Sequence, residues 1–250
     1  MSRASAVVAG VRLIHPAPAL AVTLLSAALG AILLRQAGAP LDGAWLLTVT
    51  AVAGAQAFTG AVNDLVDRGR DQAAGRLEKP LASGELSPEA ATWVAAAGLA
   101  IQLAASLRLG WPFLGLGLAA SGSAFAYNLW LSRTPLSVLP YLVSFGLLPV
   151  WIAVGIGVPV ERVLPAVPLV APFAAAAHLA NLVRDFEADA GSGSRSLAQV
   201  LGRGPAQRLA LAMALGVGLG VGLALVASGR ATPVGLGLGL AGLAAVGQGY

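Results

Sequence analysis

The chain has 250 residues, of which 57% are hydrophobic and only 10% charged, and its mean hydropathy is +0.81. A soluble globular domain carries about 25% charged residues, so this composition excludes that class and defines a polytopic membrane protein. The absence of cysteine excludes disulfides and thiolate metal sites, and in a membrane protein the net charge of +4 is a matter of sidedness rather than of nucleic acid binding.

Apolar residues come in blocks of about 20, the length of helix that crosses about 30 Å of hydrocarbon. A backbone in lipid must satisfy its own hydrogen bonds, and continuous rather than alternating apolar runs select helices over a barrel. Eight spans are predicted in chain order: 17–35, 43–62, 89–108, 111–131, 136–157, 163–183, 207–228 and 232–250. The opening Met1-Ser2-Arg3-Ala4-Ser5 leads into Arg12, His15 and Pro16 without a small-residue cleavage site, so no signal peptide is expected. His15-Pro16 reads as interfacial packing, and Trp45, Trp93, Trp111, Trp130 and Trp151 read as interfacial anchors. Gly216/Gly220, Gly218/Gly222 and Gly235/Gly239 are small-xxx-small pairs suited to packing within the chain. No extramembrane domain is visible, and residues 1–250 read as one membrane-embedded domain.

With the N-terminus in the cytoplasm, eleven of the fifteen Lys and Arg residues fall on that side, leaving Arg35, Arg108, Arg162 and Arg230 outside. The positive-inside rule favours this orientation.

Two acidic phrases stand at the ends of apolar spans on that cytoplasmic side. The first is Asn63-Asp64-Leu65-Val66-Asp67-Arg68-Gly69-Arg70-Asp71. Asn181-Leu182-Val183-Arg184-Asp185-Phe186-Glu187-Ala188-Asp189 echoes it, again with Asn followed by Asp at +4 and +8. On a helix turning about 100° per residue, Asn63, Asp64, Asp67 and Asp71 fall near 0°, 100°, 40° and 80°, within one quadrant. Asn181, Asp185 and Asp189 share the corresponding arc, with His178 at about +60° from Asn181. Oxygen ligands grouped in this way suit a hard cation such as Mg²⁺, which shares its shell with water and substrate phosphates. Arg68, Arg70, Arg76 and Lys79 follow the first phrase, and Arg184 and Arg195 flank the second; cations among carboxylates suit a diphosphate. The bland alternative is a pair of solvated helix ends, and the repetition argues against it.

At these residues the chain resembles the UbiA superfamily of intramembrane prenyltransferases. Asn63, Asp64, Asp67 and Asp71 match its Asn-Asp-x-x-Asp-x-x-x-Asp phrase, and Asp185 and Asp189 match its second, Asp-x-x-x-Asp phrase. Lys79-Pro80-Leu81-Ala82-Ser83-Gly84 resembles its basic-Pro-Leu-x-Ser-Gly loop. Tyr127 through Arg133, and Ser194-Arg195-Ser196-Leu197 with Leu201-Gly202, resemble two further segments, so the likeness covers residues 12–204. The two phrases stand 118 residues and four spans apart, which suggests two four-helix halves around a central cavity. The resemblance implies an all-α membrane bundle, with Asn63, Asp67, Asp185 and Asp189 as Mg²⁺ ligands. It places Asp64 and Asp71 beside them in the catalytic set and Lys79, Tyr127, Arg133 and Arg195 on the diphosphate; His178 is a candidate for the acceptor side. The implied partners are a prenyl diphosphate, a small lipophilic and often aromatic acceptor, and membrane lipid, with no nucleic acid and an oligomeric state left open.

Three departures stand out. Leu182 occupies a position where many relatives carry Asp, and the basic residue after Tyr127 is displaced to Arg133. Relatives usually have nine helices against the eight predicted, and Tyr250 falls inside an apolar run, so either the last wall differs or the sequence is shortened. Transfer to an acceptor is the leading activity. A membrane terpene cyclase, closing the prenyl group on itself, is the alternative, and a transporter is disfavoured because the acids lie at span ends rather than at the midplane.

Overall fold

The apolar blocks form helices throughout. In the computed structural model, residues 3–191 and 193–229 are described, and they contain ten α-helices and no strand. These are α1 (Arg3–Leu13), α2 (Pro16–Gln36), α3 (Gly43–Ala73), α4 (Pro88–Leu109), α5 (Trp111–Leu129), α6 (Leu139–Gly155), α7 (Val167–Arg184), α8 (Phe186–Gly191), α9 (Leu197–Leu201) and α10 (Arg203–Ala227). Seven predicted spans coincide with α2 to α7 and α10. The eighth, 232–250, lies outside the described residues, as does the Gly235/Gly239 pair. Among the described residues five helices are long and apolar enough to cross a membrane: α2, α3, α4, α7 with the turn preceding it, and α10; α6 is a shorter apolar helix.

Local chemistry sets the boundaries. Asp42 caps α3 by accepting from the Trp45 N–H at 3.0 Å, and Ser87 caps α4 by accepting from Ala90 N–H at 3.2 Å. Pro88 then occupies the first turn of α4, where its missing N–H costs nothing. The predicted second span stopped at 62, where the polar phrase begins, yet α3 runs on to Ala73, 31 residues in all. At 1.5 Å per residue it is about 46 Å long, well beyond a hydrocarbon core of about 30 Å. No proline interrupts residues 63–73, and the Asp67–Arg70 pair supports the helix at i,i+3.

The chain divides into two compact units, and the division falls inside α6. The first unit comprises residues through Leu129 together with Leu147–Val163. Its helices α3 and α4 cross at glycines: a Cβ on Gly54 would lie 2.6 Å from the Gly98 carbonyl oxygen, and one on Gly98 would lie 2.7 Å from Phe58 N. Trp151, 2% exposed, stacks on Phe113 at 5.2 Å between ring centres, and Trp45 donates its indole N–H to the Ala27 carbonyl at 3.0 Å. Trp151 was expected at the membrane interface, and packing against neighbouring helices places it inside the unit instead; Trp45 is half-buried near the start of α3. Trp93, Trp111 and Trp130 are exposed.

The second unit comprises Trp130–Gly146 and the residues from Leu164 onward. Its apolar core joins Leu179, Leu182 and Val183 of α7 to Ala198 of α9 and Ala206 and Ala210 of α10. Gly220 of α10 provides the close approach, since a Cβ there would meet Leu169 Cδ2 at 2.8 Å. Gly216 and Gly222 face open space, so these small-residue pairs each contribute at most one close contact.

Candidate functional site

The first acidic phrase lies on the unbroken end of α3, so its four polar residues do share one side of a single helix. The structure sorts them into two kinds. Asn63 and Asp67 are half-buried, and Asn63 Nδ2 donates to Asp67 Oδ2 at 3.5 Å and to Asn128 Oδ1 at 3.3 Å. Arg70 pairs with Asp67 on the same helix. Asp64 and Asp71 are buried, with side chains 1% and 5% exposed, and cations hold them there. Lys79 Nζ lies 2.9 Å from Asp64 Oδ1 and 2.8 Å from Asp71 Oδ2, bridging the two carboxylates. Arg76 Nη1 reaches Asp71 Oδ1 at 3.3 Å, and the His15 Nε2–H donates to Asp64 Oδ1 at 2.9 Å.

Lys79 is brought back to α3 by the loop after it. The turn at Gly75, φ 67, reverses the chain, and Leu81 packs with Leu13, Ala61 and Ala91 in an apolar cluster. Burial by itself would lower the ammonium's pKa, but the bonds to Asp71 and Asp64 outweigh it and hold the pKa above its ordinary value of 10.5.

The second phrase, in the other unit, is not one continuous helix. α7 ends at Arg184, Asp185 caps it with φ −92 and ψ 14, and α8 carries Asp189. The helical turn between them survives, because Asp189 N donates to the Asp185 carbonyl at 2.9 Å. Arg184 grips the Asp185 carboxylate through Nε at 3.1 Å and Nη2 at 3.2 Å. Asn181 is exposed, whereas Leu182 is 8% exposed and packed in the unit's apolar core. An acid at position 182 would be buried there among aliphatic side chains, which accounts physically for the departure from the doubled pattern.

Around this phrase the structure joins further predicted residues. Arg195 N donates to the Arg133 carbonyl at 3.1 Å, and Leu197 N donates to Ser137 Oγ at 3.4 Å, so the segments carrying the two arginines lie side by side. His178 is buried on α7, its ring stacked on Tyr141 at 4.0 Å with planes 9° apart. Tyr127 is half-buried near the end of α5.

Two residues at the first cluster escaped the sequence reading. His15, read as interfacial packing, is bonded to Asp64. Asn128, 65 positions after Asn63, orients that side chain and donates to the Thr59 carbonyl at 3.2 Å. The Tyr127-Asn128 dipeptide inside a resembling segment was the available signal.

A divalent cation would require oxygen donors not already taken by the chain. Among the described residues no three His, Cys, Asp or Glu side chains are grouped to hold one. The donor chemistry nevertheless fits a hard cation: Asp64 Oδ2 is buried without a hydrogen-bond partner, and both bonds described for Asn63 use its nitrogen, not its oxygen. The first phrase therefore offers the Asn63 amide oxygen on the half-buried side of α3 and the unbonded Asp64 Oδ2 buried behind it, oxygen chemistry of the kind a hard cation takes.

Helices of membrane-spanning length, with carboxylates and basic residues clustered at their ends, define a polytopic α-helical membrane protein with a polar site at one end of a span. Residues 23–250 match the UbiA prenyltransferase family, and the chain belongs to that family. It is an integral, multi-pass membrane protein of prenyltransferase type. The fold is similar to that of a UbiA homologue from Archaeoglobus fulgidus bound to GPP and Mg²⁺, with TM-score 0.72 and 20% identity over 95% of this chain and 84% of that one. It is similar also to the apo UbiA homologue from Aeropyrum pernix K1, with TM-score 0.68 and 24% identity over 91% of this chain and 95% of that one. A digeranylgeranylglyceryl phosphate synthase structure aligns with TM-score 0.71 and 16% identity over 97% of this chain and 87% of that one. No curated protein sequence matches the chain.

Proposed function

We propose that this protein transfers an isoprenyl group from a prenyl diphosphate to a small lipophilic, often aromatic acceptor within the membrane, with Mg²⁺ as cofactor. Membership of the UbiA family supports this reading, as does the fold shared with a UbiA homologue from Archaeoglobus fulgidus solved with GPP and Mg²⁺ and with DMAPP and Mg²⁺. The observation in this chain that carries it is the complete first phrase on one helix, with Asn63 and Asp67 side by side at its half-buried edge.

Asn63 and Asp67 in the first phrase, and Asp185 and Asp189 in the second, are the residues proposed to hold Mg²⁺. When bound, Mg²⁺ neutralises the charge that develops on the diphosphate leaving group. Arg133 and Arg195 offer guanidinium donors to the phosphate oxygens, and Tyr127 a phenolic donor. Lys79, a diphosphate contact in the resemblance, has its ammonium on Asp64 and Asp71, which gives it a supporting part in the same polar cluster. An apolar surround limits access of water to the allylic cation left after ionisation. Half-buried Tyr141, backed by the buried His178 ring stacked on it, offers an aromatic side chain suited to the acceptor side. Residues 1–250 act as one membrane-embedded domain, with the N-terminus and both acidic phrases on the cytoplasmic side.

Product analysis by mass spectrometry tests the proposal, using purified protein, Mg²⁺, prenyl diphosphates of several lengths and a panel of aromatic and lipid-like acceptors. A prenylated acceptor, formed only with Mg²⁺, is the expected product. A cyclic hydrocarbon or alcohol formed without acceptor would replace transfer with cyclisation, and the absence of diphosphate release under every condition would overturn both.

A further inference from the structure

The carboxylates of the first phrase differ in what surrounds them, and two of the groups that hold the buried pair come from outside α3, His15 from the turn between α1 and α2 and Lys79 from the loop after α3. His15 is the one non-glycine among the described residues in the left-handed region, with φ 52 and ψ 70. That conformation is unfavourable for a residue bearing a Cβ, and it persists where surrounding contacts over-determine it. Pro16, next in the chain, disfavours the right-handed helical alternative at position 15.

Two contacts impose the conformation. The turn between α1 and α2 is seated directly on α3 at Gly60, where a Cβ would lie 2.8 Å from the Ile14 carbonyl oxygen. One helical turn further along α3, the His15 ring meets Asp64 at 2.9 Å. From the other direction the loop after α3 delivers Lys79 to Asp64 and Asp71. The turn and the loop are tied together in their turn, by Arg12 Nη1 to Glu85 Oε2 at 2.8 Å, by Arg12 to the Glu78 carbonyl, and by Leu13 packed with Leu81.

We propose that His15 and Lys79 are positioning residues for the diphosphate site: by gripping Asp64 and Asp71 on the buried side of α3, they fix the rotation of the helix end so that Asn63 and Asp67 present their oxygens to the ligand. Residues behind direct ligands commonly control affinity in this way, and losing one weakens metal binding about 10- to 100-fold. The inference rests on the prenyl diphosphate reading, and it assigns Lys79 an action through the carboxylates rather than on the phosphate.

His15→Gly is the informative variant, because glycine accepts the left-handed conformation while removing the imidazole. Binding of geranyl diphosphate to purified protein, measured by calorimetry with and without Mg²⁺, should weaken about tenfold in His15→Gly, which should stay folded with its thermal midpoint lowered by the lost bond to Asp64. Lys79→Met should weaken binding at least as much, and Lys79→Arg should recover part of the loss. Binding by His15→Gly within twofold of the parent would overturn the proposal, whether or not Lys79→Met folds. Should the parent itself bind no prenyl diphosphate, the functional reading fails, and the contact is judged separately by thermal midpoints of His15→Gly, Asp64→Asn and the double variant. Non-additive shifts support the grip on Asp64, and additive shifts overturn it.

Discussion

Lys79 sits between two buried carboxylates, and its protonation sets an upper pH limit on the stability of the first unit. Its pKa is raised in the folded protein, so its contribution is fully present below the ordinary lysine value of 10.5 and is lost as pH rises through the higher folded value. The thermal midpoint should therefore hold between about pH 7 and 10 and fall above about 10.5, whereas Lys79→Met should lack that alkaline fall. At neutral pH the same variant leaves Asp64 and Asp71 buried with one cation fewer and should lose about 3 kcal/mol, read from thermal or denaturant unfolding in detergent. The half-buried acids should respond differently. Asp67→Ala and Asp185→Ala are each expected to reduce diphosphate release at least about 100-fold while the thermal midpoint stays near the parent's, because neither carboxylate is enclosed in a core. Substantial turnover by either variant would remove that residue from the site. That Asn63, Asp64, Asp67 and Asp71 share one side of a helix was legible in the helical spacing, but their division into a half-buried and a buried pair was not. Nor was the cation bound to each acid, since His15 and Lys79 approach from separate loops.

Among the elements, α3 carries most of the functional geometry. Its apolar part packs on α4 through Gly54 and Gly98, and its polar end continues as helix beyond the predicted span. Gly54→Ala or Gly98→Ala would push a methyl group into backbone at under 3 Å and should destabilise the fold by about 1–3 kcal/mol, measured as a loss in thermal midpoint. Gly222→Ala, facing open space, should leave it unchanged. The sequence drew attention to the glycines of α10 because they recur at intervals of four; the crossing of α3 and α4 involves two glycines in different helices, 44 positions apart, which no local pattern connects. The second phrase shows the reverse limitation. Its Asp-x-x-x-Asp spacing survives in the turn from Asp185 to Asp189, but the helix changes at Asp185 and Leu182 belongs to the apolar core. Restoring the doubled pattern with Leu182→Asp should lower the thermal midpoint without tightening Mg²⁺ binding, since the new carboxylate would be desolvated among Leu179, Val183 and Ala206. Tighter Mg²⁺ binding by that variant would show the position to be open to the ligand.

For the whole molecule, composition decides the solvent and the solvent decides the class of fold. Few charges and long apolar blocks place the chain in a bilayer, and the bilayer admits helices whose backbone is internally bonded. The orientation is carried by the uneven distribution of Lys and Arg, and the absence of cysteine makes it directly testable. A single cysteine placed at exposed Glu78, in the loop after α3, should react with a membrane-impermeant maleimide in inside-out vesicles and not in intact cells; labelling in intact cells would reverse the assignment.

Composition and short-range spacing suffice for the membrane class, the seven described spans, the two acidic phrases and the family to which they belong. Each of these depends on composition or on spacings within a few residues, which survive without knowledge of the fold. Tertiary structure alone decided which carboxylates are buried and which are accessible, that Trp151 packs inside the first unit, and that His15 and Asn128 belong to the acidic cluster. These facts depend on contacts between residues separated by 38 to 65 positions, formed only when helices cross at close range and a buried charge must find its partner.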